Sequence, residues 1–66
     1  MNKYELYYKE YMPNSINAKS KIVKGRYLYI DKVNNVLLID NVIIENLENL
    51  SQIRFLVKGY YQTINI

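Results

Sequence analysis

Cysteine, histidine and tryptophan are absent from this 66-residue chain, and proline occurs once. Without thiols there are no disulfide staples. Without thiol or imidazole ligands, Cys/His zinc sites and the nucleophile–imidazole pairs of hydrolases are excluded. The carboxylates Asp31, Asp40, Glu45 and Glu48 show no metal-ligand spacing. The expectation is a chain that is not an enzyme, with no catalytic residue, no metal ion and no cofactor. Long apolar runs are missing too: no stretch approaches the ~20 residues of a membrane span. The first tyrosines alternate with Lys and Glu where a secretory signal carries an apolar block. A cytoplasmic protein with no membrane partner is expected, and the lack of cysteine agrees with a reducing compartment.

What is present is apolar and aromatic. Half of the residues are hydrophobic, eight of them tyrosine, which argues for a folded chain rather than a disordered one. The length fits one domain, 1–66, and a globule of this size buries only about 60% of the surface its unfolded chain exposes. Small folds offset that deficit with disulfides, metals or oligomerisation, and here only the last remains. The net charge of +3 is modest for one copy and grows in an assembly, favouring an anionic partner. Lys19, Lys21, Lys24 and Arg26 lie together, whereas Asp40, Glu45 and Glu48 share a later stretch. These are either opposed basic and acidic surfaces or simply solvated faces.

Tyr4, Tyr7, Tyr8, Tyr11 and Met12 recur at the spacing of one helical face, with Asn2 as a cap, Glu5 three residues on, and Pro13 as a stop. This predicts a short amphipathic helix over about 2–11. It is too short to stand alone in water, so its tyrosine face would plug the open end of a barrel. Strands are expected next: a short one near 15–17, then one over 21–31 bent at Gly25 and ending in a turn at 31–35. A central strand over 36–44, a polar connection over 46–51, and a strand over 52–57 with Ile53, Phe55 and Val57 inward complete the run to a tight turn at Lys58 and Gly59. The last strand spans 60–66. The expected fold is mainly β: a helix, then a small SH3-like or OB-like barrel over about 14–66.

Within this pattern, Gly25-Arg26-Tyr27-Leu28-Tyr29-Ile30-Asp31-Lys32-Val33-Asn34-Asn35 followed by Val36-Leu37-Leu38-Ile39-Asp40 resembles the first Sm motif. In that motif a glycine precedes an aspartate by six positions, an asparagine follows by four, and an aliphatic strand comes next. Phe55-Leu56-Val57-Lys58-Gly59 resembles the second, an aliphatic strand ending in Arg-Gly. The chain thus resembles the Sm-like (Lsm) family, as an archaeal-type or virus- or plasmid-encoded member. It departs from the pattern at Val33, where many relatives carry a stacking side chain, at Lys58, which replaces arginine, at Gln62 in the last strand, and at Gln52-Ile53, where a glycine is usual.

The resemblance implies a five-stranded, strongly bent antiparallel barrel after the helix. It also implies a hexameric or heptameric ring joined through the fourth strand of one subunit and the fifth of the next. Ile53, Phe55, Val57, Thr63, Ile64 and Ile66 would form that seam or the core behind it. It further implies binding of single-stranded, U-rich RNA at pore-facing turns. Asn35 would hydrogen-bond a base edge, Asp31 would buttress the turn, Val33 and Lys58 would bracket the base, and Gly59 would permit close approach. Valine offers no π-face and lysine no planar guanidinium, so weaker and less uridine-selective binding is expected. Tyr60 and Tyr61 would either restore the stacking or serve core and interface. Two other classes stay open: a basic barrel binding duplex DNA through Lys19, Lys21, Lys24 and Arg26, and an oligomeric protein scaffold.

Overall fold

The computed structural model describes residues 1–9 and 20–66. The expected strand near 15–17, the last residues of the expected helix and Lys19 lie outside them. Seven strands occur in chain order: β1 (Asn2–Tyr8), β2 (Ser20–Gly25), β3 (Leu28–Asp31), β4 (Val36–Ile39), β5 (Val42–Asn46), β6 (Leu50–Val57) and β7 (Tyr60–Asn65), with a 3-10 turn at Leu47–Asn49 before β6. They form two antiparallel sheets, a four-stranded one in the order β2-β1-β6-β7 and a three-stranded one in the order β3-β4-β5.

The N-terminal segment corrects the expectation of a helix. Residues 2–8 are a strand because Tyr4, Leu6 and Tyr8 fall on one face and Lys3, Glu5 and Tyr7 on the other. Tyr4 and Leu6 are buried, and Leu6 stands directly opposite Ile53 of β6. The helical spacing of the tyrosines counted Tyr7, an outward residue, and passed over Leu6. Pairing on both edges, with β2 and with β6, supplies the hydrogen bonds that a lone helix would have made internally.

The expected central strand over 36–44 is instead a hairpin. Asp40 (φ 53°) and Asn41 (φ 64°) are both left-handed, as a two-residue type I′ turn requires, and they split the apolar run into β4 and β5. The five-stranded closed barrel is corrected as well. Among the described residues the two sheets stay separate, no α-helix occurs, and the Cα extents of 35 × 30 × 16 Å are those of a slab.

The sheets face each other because the chain turns two corners between them. At the first, Gly25 ends β2 and Arg26 and Tyr27 lead into β3. A Cβ on Gly25 would collide with Ile39 Cγ2, so glycine is required there by packing. At the second corner the 3-10 turn carries β5 into β6, burying Leu47. One apolar cluster fills the space between the sheets: Tyr4, Leu6, Leu50 and Ile53 from one side, and Leu37, Ile39 and Leu47 from the other. Tyr4 is buried with its hydroxyl satisfied, donating to Arg26 O at 3.4 Å and accepting from Asn2 Nδ2 at 3.3 Å.

Candidate nucleic-acid interface

The turn at 31–35 connects β3 to β4 and is held by its first residue. Asp31 Oδ1 accepts the backbone N–H groups of Val33 and Asn34, both at 3.0 Å, and Oδ2 accepts Asn34 Nδ2 at 2.9 Å. These donors, led by the Asn34 backbone N–H, hold the Asp31 carboxyl below its ordinary pKa. The aspartate thus closes the turn through local hydrogen bonds. Asn35 follows with φ 58°, its carbonyl accepting Leu47 N–H at 2.9 Å, and Val33 stands 93% exposed at the tip.

Lys58 (φ 49°) and Gly59 (φ 83°) form the two-residue turn between β6 and β7, and both are exposed. The contact between Asn35 and Leu47 ties the 31–35 turn to the start of β6, whereas Lys58 follows its end. At about 3.3 Å per residue, the eight residues of β6 separate the two turns along the strand. Asp31, Val33 and Asn35 are thus gathered in one turn. Lys58 and Gly59 lie at the other end of β6.

The outer face of the three-stranded sheet was not singled out by the sequence. Leu28 and Ile30 pack on the core, so alternation turns Tyr27 and Tyr29 outward, 75% and 64% exposed. Tyr29 stands opposite Leu38, and Leu38 opposite Ile43, making one apolar row across three strands. The backbone of Tyr27 extends the ladder by accepting Asp40 N–H at 2.9 Å. Asp40 Oδ1 in turn accepts the N–H groups of Arg26 (3.0 Å) and Tyr27 (2.9 Å). Both aspartates bordering this face are thereby engaged by local donors. Lys24, Arg26 and Lys32 are exposed and form no ion pair among the described residues. The readable signal was the alternation of Tyr27 and Tyr29 with Leu28 and Ile30.

The outer face of the four-stranded sheet carries a different cluster. Arg54 pairs with Glu5 Oε2 through Nε (3.0 Å) and a terminal nitrogen (2.5 Å), and the Tyr7 hydroxyl donates to the same oxygen at 2.8 Å. The guanidinium carbon lies 5.6 Å from the Tyr7 ring centroid and 4.9 Å from that of Tyr61, within cation–π range. The Tyr7 and Arg54 hydrogen bonds lower the Glu5 pKa, and the same carboxylate raises those of Tyr7 and Arg54. This cluster is internally satisfied and clamps β1, β6 and β7 together.

Of the residues expected at a subunit seam, Ile53 is fully buried in the core. Phe55 is half-buried against it, with its ring 6.0 Å from that of Tyr4. Val57 and Ile64 are half-buried, and Thr63 and Ile66 are exposed. Strand β6 is paired on both sides, by β1 and β7, so the open edge at this end of the sheet belongs to β7. Comparison with protein-family models, with curated proteins and with solved structures finds no match to this chain.

Proposed function

We propose that this chain is a non-catalytic, single-stranded RNA-binding protein that works in the cytoplasm as an assembly of identical copies. The observation that carries the reading is the outward pair Tyr27 and Tyr29, extended by Leu38 and Ile43, with Arg26 and Lys32 beside them in sequence exposed and forming no ion pair among the described residues. Exposed aromatic rings on a sheet are stacking platforms for unpaired bases, and flanking cations track the phosphates. Side chains two residues apart on a strand are separated by about 6.6 Å along it. Two rings at that spacing can take bases from neighbouring nucleotides.

The 31–35 turn borders the same sheet. Asn35 offers a coplanar donor and acceptor suited to a uracil edge, and Val33 an apolar contact. Lys58 and Gly59 join this site only where a second copy brings them to it. The Sm-like resemblance enters the proposal through the two motifs at 25–40 and 55–59, with a ring of six or seven as the assembly it implies. The N-terminal strand forms no part of that resemblance.

Fluorescence anisotropy with labelled oligo-U and oligo-A tests the reading. Binding at low salt is expected, with a modest preference for oligo-U and a loss of about 1–3 kcal/mol for each of Tyr27→Ala and Tyr29→Ala. Failure of both oligonucleotides to bind would contradict it.

A further inference from the structure

Four strand edges are open among the described residues: β2 and β7 on one sheet, β3 and β5 on the other. Three carry the devices that discourage strand addition. Lys21, Lys24 and Gly25 lie on β2; β3 is four residues long and ends in Asp31; β5 carries Glu45 beside an extra residue, Ile44, where its register with β4 slips. Strand β7, Tyr-Tyr-Gln-Thr-Ile-Asn, has no charge, no proline, no glycine and no irregularity.

The phase of its hydrogen bonds is fixed. Opposed residues in an antiparallel pair alternate between those that exchange both bonds and those that exchange none. Ile66 N–H donates to Ser51 O at 3.0 Å, which places that pair in the bonded class. Stepping by two along the observed register, Ile53 with Ile64, Phe55 with Gln62, and Val57 with Tyr60 are bonded. Tyr61, Thr63 and Asn65 therefore turn their N–H and C=O groups away from β6, toward the open edge.

We infer that β7 pairs with β7 of a second copy, antiparallel about a two-fold axis through Thr63, joining two four-stranded sheets into one. In this register Tyr61 faces Asn65 of the second copy, Thr63 faces Thr63, and Asn65 faces Tyr61. All the outward-turned backbone groups are then bonded. On the inner face Tyr60 lies across from Ile66, and Gln62 across from Ile64. Every cross-strand pair is neutral, so no charge meets its own copy, whereas self-pairing of β2 would bring Lys21 and Lys24 of both copies to one seam. The stacking of Arg54 on Tyr61 keeps that ring on the outer face and clear of the edge. An isologous seam closes at two copies. Of the proposed function the inference keeps only that identical copies assemble; it departs from the ring of six or seven that the Sm-like resemblance implies and puts a closed dimer in its place.

The test is mass in solution by sedimentation velocity for the wild type, Thr63→Lys, Thr63→Glu and an equimolar mixture of the two variants. Residue 63 is exposed and its backbone groups bond nothing within its own sheet, but its side chain stands opposite Arg54. Thr63→Glu meets that charge without repulsion and keeps the test decisive where Thr63→Lys is weakened, and far-ultraviolet circular dichroism verifies the fold of each. The wild type is expected at twice the chain mass, each variant at the monomer mass, and the mixture again at twice the chain mass, because Lys faces Glu only if residue 63 faces itself. A wild-type monomer at high micromolar concentration, a hexamer or heptamer, dimeric single variants, or a mixture that stays monomeric would each overturn the inference. Oligo-U anisotropy on the same samples separates this outcome from the RNA reading, since monomeric variants that still bind RNA leave that reading standing.

Discussion

At the scale of single residues, the side chains that shape this protein are few and have separate tasks. Gly25 is small because Ile39 occupies the space a Cβ would need. Gly25→Ala is therefore expected to lower the unfolding free energy by about 1–3 kcal/mol, measured by urea titration, through overpacking rather than backbone strain. Carboxylates form a second group. Asp31 is held low by the Asn34 N–H, Glu5 by the Tyr7 hydroxyl and Arg54, and Glu45 by the Asn49 side chain and the Asn46 N–H. A carboxylate with a depressed folded-state pKa contributes stability that is complete above its unfolded value and is lost as pH falls through the folded one. Urea midpoints should thus be level near neutral pH and fall below about pH 4. A midpoint that held steady into that acid range would contradict the hydrogen bonds assigned to these groups.

At the scale of elements, the two hairpin turns at 40–41 and 58–59 define the registers of β4–β5 and β6–β7. Asn41 occupies φ 64°, a region that costs a β-branched residue about 1–2 kcal/mol. Asn41→Val should destabilise by that amount in thermal or urea melts, and Asn41→Gly should not. The turn at Lys58-Gly59 was legible because glycine sits between two β-rich runs. Asp40-Asn41 was not, because the apolar residues on both sides merged into one long strand. The alternation of Ile53, Phe55 and Val57 in β6 was legible for the same reason that β1 was not. In β6 the outward positions are mostly polar, whereas in β1 the outward Tyr7 resembles the inward tyrosines and mimics a helical stripe. What decides β1 is its pairing on both sides with β2 and β6, partners distant in sequence. Of the site, the 31–35 turn was visible through Asp31 and Asn35. The Tyr27 and Tyr29 face emerged only once Leu28 and Ile30 were seen to point inward.

At the scale of the whole molecule, a single small cluster holds two sheets together. Leu6, Leu37, Leu50 and Ile53 are its fully buried members, and a Leu→Ala change at such a position costs about 2–5 kcal/mol. A domain of this length has only about 3–10 kcal/mol in total. Leu37→Ala is accordingly expected to remove roughly half of that stability, seen as a large fall in the urea midpoint and melting temperature. Association through β7 adds stability by mass action, so the melting temperature of the wild type should rise with protein concentration while that of Thr63→Lys should not. If the proposed function holds, the same association would double the charge presented to a nucleic acid and repeat the tyrosine face, raising the affinity for a strand long enough to span both copies. The central claim is that this face holds single-stranded RNA. Anisotropy of labelled oligo-U, titrated at low salt with wild type and with the Tyr27→Ala, Tyr29→Ala double variant, tests it most directly. Saturable binding by the wild type and its loss in a folded double variant is the predicted result. Equal binding by the two proteins, or none by either, would contradict it.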